Sequence, residues 1–142
     1  MADMGKLIKL DSLKADTLQE REGEWVYVKT WPRLGELPGL AFKVRSTNSP
    51  DYVTAKTSQQ MKLTQKYGME TPPYNEVSIA EGELAAEYLL LDWKGLSEKY
   101  NSAEARSLLS SPEGRNILSM VFWCADQVGR RQVEFLEAAV KN

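Results

Sequence analysis

Histidine is absent from all 142 residues. Its absence removes the commonest general base, the Ser-His and Cys-His nucleophile pairs, and most zinc sites. Cysteine occurs once, as Cys124. No intramolecular disulfide can form, so a reducing compartment is the expected setting. No run approaches the roughly eighteen apolar residues that cross a bilayer. Met1–Leu10 contains Asp3, Lys6 and Lys9, and lacks the apolar centre of a signal peptide. A cytosolic, soluble chain without membrane contact is expected.

Charge of one sign is also scarce. The formal net charge of −2 provides no overall basis for binding nucleic acid, and the basic residues are dispersed. The asymmetry runs along the chain instead: Met1–Tyr74 has eleven Lys/Arg against nine Asp/Glu, and Asn75–Asn142 has seven against eleven. That pattern suits self-association or a charged partner, or simply a solvated surface. Met4-Gly5-Lys6-Leu7 lacks the earlier glycine and the following Ser/Thr of a phosphate loop. Acidic residues do not fall at EF-hand spacing. Glu83 and Glu87 lie four apart, where a solvated helix face competes with an acid/base pair as the explanation. Cys124 sits on an apolar stripe with nothing nearby to lower its pKa. No catalytic residue, cofactor or metal is expected.

What is present reads as one domain, long enough for a core without disulfides or metal. Residues 1–23 form a partly flexible N-terminal arm: a strand at Leu7–Leu10, then a linker or weak helix. Residues 24–142 form a single α+β domain. Its expected architecture is an N-terminal β-hairpin or small antiparallel sheet followed by a bundle of about four helices. Trp25–Val28 and Leu40–Arg45 are rich in aromatic and β-branched residues, and Leu40, Phe42 and Val44 alternate with Ala41, Lys43 and Arg45. Between them, Trp31–Gly39 carries two prolines and two glycines, which exclude a continuous ladder. Trp31, Leu34 and Leu37 keep that loop partly apolar, as a contact surface or as a flap folded onto the sheet.

Ser49-Pro50 predicts a helix start and Gly68 its stop. Asn75 is the expected cap of the next helix, with Glu76 in its first turn. That helix is predicted to be the hub of the fold. Ala80, Leu84, Tyr88 and Leu91 lie on one helical face, and Asp92-Trp93-Lys94-Gly95 closes it with Gly95 at C′. Asn101 or Ser102 caps a short helix, Ala103–Leu109. Ser111-Pro112 opens the last one, whose apolar stripe runs from Ile117 through Phe135, Leu136 and Ala139. Gly129 marks a kink, a close contact or a break in it.

Three segments, in order, carry a family resemblance: Glu24–Val28; Leu40–Ser46 with Ser49-Pro50-Asp51-Tyr52; and Leu89-Leu90-Leu91-Asp92-Trp93-Lys94-Gly95. Tyr100–Leu109 follows as the matching helix. The chain resembles the tail assembly chaperones of long-tailed, siphovirus-like bacteriophages, over about Gly23 to Phe122. The resemblance implies a non-enzymatic protein of the host cytoplasm that binds the tape-measure protein and recruits tail-tube subunits. It also implies self-association. Trp31, Leu34, Leu37 and Trp93 are the candidate partner contacts, although each fits a core position as well. A structural virion component, such as a head–tail connector or minor tail protein, is the alternative. A small cytosolic enzyme using Glu83/Glu87 or Asp92 comes after it.

Overall fold

The structure is a computed structural model and describes residues 6–137. Strand β1 (Lys6–Ile8) is followed by a 3-10 turn (Leu10–Leu13) and helix α1 (Thr17–Glu22). Asp16 caps α1, its carboxylate accepting from the Gln19 amide at 3.1 Å. Next come β2 (Glu24–Tyr27), the short β3 (Thr30–Trp31) and β4 (Gly35–Glu36), and β5 (Ala41–Val44). Helices α2 (Pro50–Tyr67) and α3 (Tyr74–Leu84) lead through a π-helical turn (Ala85–Leu89) into β6 (Leu90–Lys94). Helix α4 (Ser102–Leu109), a 3-10 turn (Pro112–Gly114), α5 (Arg115–Gln127) and β7 (Phe135–Glu137) follow. Among the described residues the class is therefore α+β, with small antiparallel sheets and five α-helices.

The central sheet has the order β2-β5-β6, antiparallel throughout. Its register places Val26 opposite Phe42 and Phe42 opposite Trp93. Because side chains alternate across a strand, these three share the core face. Phe42 and Val44 are fully enclosed. Helix α5 packs across that face, and the Cys124 thiol points at the Val26 carbonyl oxygen, 3.8 Å away. Leu89, Leu109 and Val121 complete the interior.

Local signals explain several boundaries. Pro50 occupies the first turn of α2, and Gly68 ends it at φ 62°. Ser49 stands at the N-cap, but its hydroxyl makes no capping bond and finds no partner. Asn101 caps α4, its side-chain oxygen accepting from the Glu104 amide at 3.0 Å. Helix α3 begins one residue before the expected cap, at Tyr74 after Pro73, so Asn75 lies inside it. Glu76 instead ties α3 to the end of α2, accepting from Lys66 Nζ at 2.8 Å and from the Tyr67 hydroxyl. Those two bonds hold its carboxyl below the usual range.

Two helix expectations are corrected. The hub helix does not continue to Gly95: it ends at Leu84, widens into the π turn, and becomes β6. The Arg45 amide donates to the Leu89 carbonyl at 2.9 Å, so the ladder with β5 begins where helical bonding stops. Gly95 does take φ +91°, yet it closes a strand; a Cβ there would lie 2.3 Å from the Gly39 carbonyl oxygen. The last helix stops at Gln127, before Gly129. Phe135 and Leu136 belong to β7, which pairs with β1. Ala139 lies outside the described residues.

Residues 6–23 are attached to the rest of the chain through both β1 and α1. β1 pairs antiparallel with β7, and the Lys9 amide donates to the Glu134 carbonyl at 2.9 Å. Glu20 on α1 is buried, with its carbonyl accepting from the Ser46 amide at 3.0 Å.

Candidate functional site

The segment between β2 and β5 forms a small hairpin of its own. β3 and β4 pair with Thr30 opposite Glu36 and Trp31 opposite Gly35. Arg33 in the turn adopts φ 72°, and Gly35, where β4 begins, takes φ 84°. The base of the hairpin is stitched to the sheet: the Leu37 amide donates to the Lys29 carbonyl at 2.8 Å, and the Val28 amide to the Leu40 carbonyl at 2.9 Å. Trp31 and Leu37 are half-buried against the core, while Leu34 at the tip is 48% exposed. The loop is thus partly flap and partly free surface.

Trp93 is a core residue and not an exposed contact, which corrects its place among the candidates. It is only 9% exposed, and its indole N–H donates to the Glu98 carbonyl at 2.8 Å. Its ring meets Phe42 edge-on at 6.5 Å and Tyr100 edge-on at 5.2 Å between centroids. The Asp92 carboxylate accepts from the Trp93 amide at 2.8 Å, which fixes the corner. Burial, and then the Asp92 charge, raise the Tyr100 hydroxyl above its ordinary value.

On the opposite face of the sheet lies a group absent from the sequence candidates. Lys94 Nζ sits 4.4 Å from the Trp25 ring centroid and 5.1 Å from that of Tyr27. Tyr27 is 49% exposed. Tyr27, Lys29, Glu36, Leu37 and Pro38 line a groove of about 270 Å³ at the hairpin base. Period-two alternation already separates Trp25 and Tyr27 from Val26 and Val28. Only the β2-β5-β6 register, however, brings Lys94 between the two rings.

The remaining candidates for chemistry are placed as follows. Glu83 and Glu87 flank Arg106, at 3.7 and 3.6 Å from its guanidinium nitrogens, and all three side chains are about half exposed. They form a surface ion-pair cluster. Cys124 is fully enclosed, and burial pushes its thiol up to about 12. Among the described residues no cluster of three or more His, Cys, Asp or Glu is arranged to hold a metal ion. No described helix is long and apolar enough to cross a membrane. No protein-family model, curated protein or solved structure matches this chain.

Leu34 and Tyr27 are open, Trp31 and Leu37 are half-open, and Lys29 and Glu36 stand beside the groove they share with Tyr27.

Proposed function

We propose that this chain is a non-enzymatic tail assembly chaperone of a long-tailed phage. In this reading it works in the host cytoplasm, binds the tape-measure protein, recruits tail-tube subunits and self-associates. The finer architecture expected from the sequence, a β-hairpin or small antiparallel sheet followed by a bundle of about four helices, belongs to the same proposal, amended by β6 and β7, which follow helices in the chain. The observation that carries the reading is the apolar surface about the hairpin: Leu34 is 48% exposed at the tip next to the half-buried Trp31, and Tyr27 is 49% exposed at the groove it shares with Leu37. A transient holder of amphipathic helices needs apolar anchors of this kind, set on a frame that does not rearrange. It also needs modest affinity, so that tube protein can displace it. A short rim with one aliphatic tip meets that need better than a deep pocket.

The test is co-expression with the tape-measure protein. That protein is expected to become soluble and to co-purify with the wild-type chain. The Tyr27→Ser/Leu34→Asp variant should recover roughly tenfold less of it, the loss of about one well-buried anchor. Insolubility of the client beside the wild-type chain would end the proposal. Mass spectrometry of purified virions separates the chaperone from a virion component, since only the latter stays in the finished particle. Unchanged activity on amide replacement of Glu83, Glu87 and Asp92 would dispose of the enzyme alternative.

A further inference from the structure

We infer that the β1–β7 ribbon is the contact through which copies of this chain join one another head to tail, as a shared antiparallel sheet. This deepens the self-association in the reading above and in that respect rests on it. The two are tested separately, because association is measured on the isolated protein and client binding in co-expression.

The ribbon carries a pair of apolar side chains on each face, with Lys6 Nζ 5.8 Å from the Phe135 ring centroid on one of them. Leu7 pairs with Leu136 and Ile8 with Phe135. Alternation therefore places Leu7 and Leu136 on one face, and Ile8 and Phe135 on the other. The four are exposed by 61%, 58%, 54% and 48%, so neither face is covered. Leu10 and Leu13 lie just beyond, also open. A two-stranded ribbon, here with three described residues per strand, has little independent stability in water. Apolar surface gathered this way marks a place where another polypeptide sits.

Charge selects the occupant. Among the described residues no further strand pairs with the outer edge of either β1 or β7. β1 and its flank carry Lys6 and Lys9, whereas the flank of β7 carries Glu134. Within one chain, Lys9 Nζ already lies 3.8 Å from Glu134 Oε1. Setting two β1 edges together would oppose lysines, and setting two β7 edges together would oppose glutamates. A β1 edge against the β7 edge of the next copy repeats the intrachain match: opposite charges outside, Leu and Ile against Leu and Phe within. Each copy then presents one edge of each kind. Such a join is heterologous and leaves an edge free at both ends.

The test is sedimentation velocity of the full chain at low ionic strength, where surface charge is least screened. The mean mass of the wild type is expected to rise with concentration beyond that of a dimer. Leu7→Ser/Phe135→Ser should associate roughly tenfold more weakly, while the near-ultraviolet circular dichroism of the dilute protein, a report on the packed aromatic side chains, stays unchanged. The charge-exchanged variant Lys9→Glu/Glu134→Lys keeps complementary edges. It should therefore self-associate like the wild type, yet form mixed joins with wild-type chains less often than chance in an energy-transfer assay. A wild type that stays monomeric, as it would if the ribbon served only a different protein, overturns the inference. So does growth that stops at a dimer, association unaffected by the serine variant, or an excess of mixed joins, which would signify like edges meeting. If the serine variant disturbs the near-ultraviolet circular dichroism, the charge-exchange arm decides by itself.

Discussion

Phe42 on β5 faces Trp93 on β6, and Phe135 on β7 faces Ile8 on β1. Both are antiparallel cross-strand pairs of large apolar side chains, of similar intrinsic value. The first is sealed, Phe42 at 0% exposure beneath α5 and Trp93 at 9% against Tyr100; the second stands in water at 48% and 54%. The difference lies in the layer above the strands and not in the strands. A strand pair becomes core when a helix covers one face; left uncovered, the same chemistry becomes a surface that needs a partner. The hairpin rim falls between these cases, since Trp31 and Leu37 reach the core and Leu34 does not.

The sharpest way to break that contrast is to remove the sealed ring. Trp93→Ala deletes a side chain that contacts Phe42 and Tyr100 and spends its N–H inside, and it is expected to destabilise by about 3–5 kcal/mol in urea unfolding. A change below about 1 kcal/mol would show that the corner is not core. Next in size is Gly82→Ala on α3. A Cβ there would lie 2.1 Å from the Leu109 carbonyl oxygen, so α3 and α4 must separate, at about 1–3 kcal/mol. An unchanged thermal midpoint would mean that the two helices are further apart than described.

Cys124 sharpens the same division by chemistry. Its thiol is raised by burial from 9.0 to about 12, so the folded state holds the proton more tightly than the unfolded chain does. The associated stability is fully present below the ordinary thiol value. It declines as pH climbs through the window between that value and about 12. Cys124→Ala should lessen the alkaline loss. The native thiol should also resist a disulfide reagent at neutral pH until the protein is unfolded; rapid labelling of the folded protein would contradict this. The smallest effect is expected on the ribbon. Leu136→Ala should shift the unfolding free energy of the dilute protein by no more than about 0.5 kcal/mol, because the side chain is already in water. A loss comparable to that of Trp93→Ala would mean that the two strand pairs are alike after all.

Much of the helix punctuation was legible. Ser49-Pro50 and Gly68 bracket α2, Asn101 opens α4, and Leu40–Arg45 contains β5, each through a signal carried within a few residues. Leu89-Leu90-Leu91 was not legible. A short apolar run fits a buried strand as well as a helix, and its strand partner Phe42–Val44 is far away in the chain. Phe135 and Leu136 likewise continue the helical spacing of α5, but the chain leaves the helix before Gly129 and pairs with β1 at the other end of the sequence. Of the candidate contacts, Leu34 kept the exposure expected of a loop tip, whereas Trp93 turned inward because Glu98 and Tyr100 fold around its indole. The Trp25–Lys94–Tyr27 group escaped notice because it exists only across strands.

The amino-acid order alone determined the caps and stops, the alternation that separates Phe42 from Lys43, and the lack of any histidine for catalysis. Each of these depends on neighbours a few bonds away, where backbone geometry and side-chain chemistry act directly. The tertiary structure decided which apolar residues are hidden. Whether an indole is core or contact depends on which distant element lies over it, and that is settled by packing the whole chain at once.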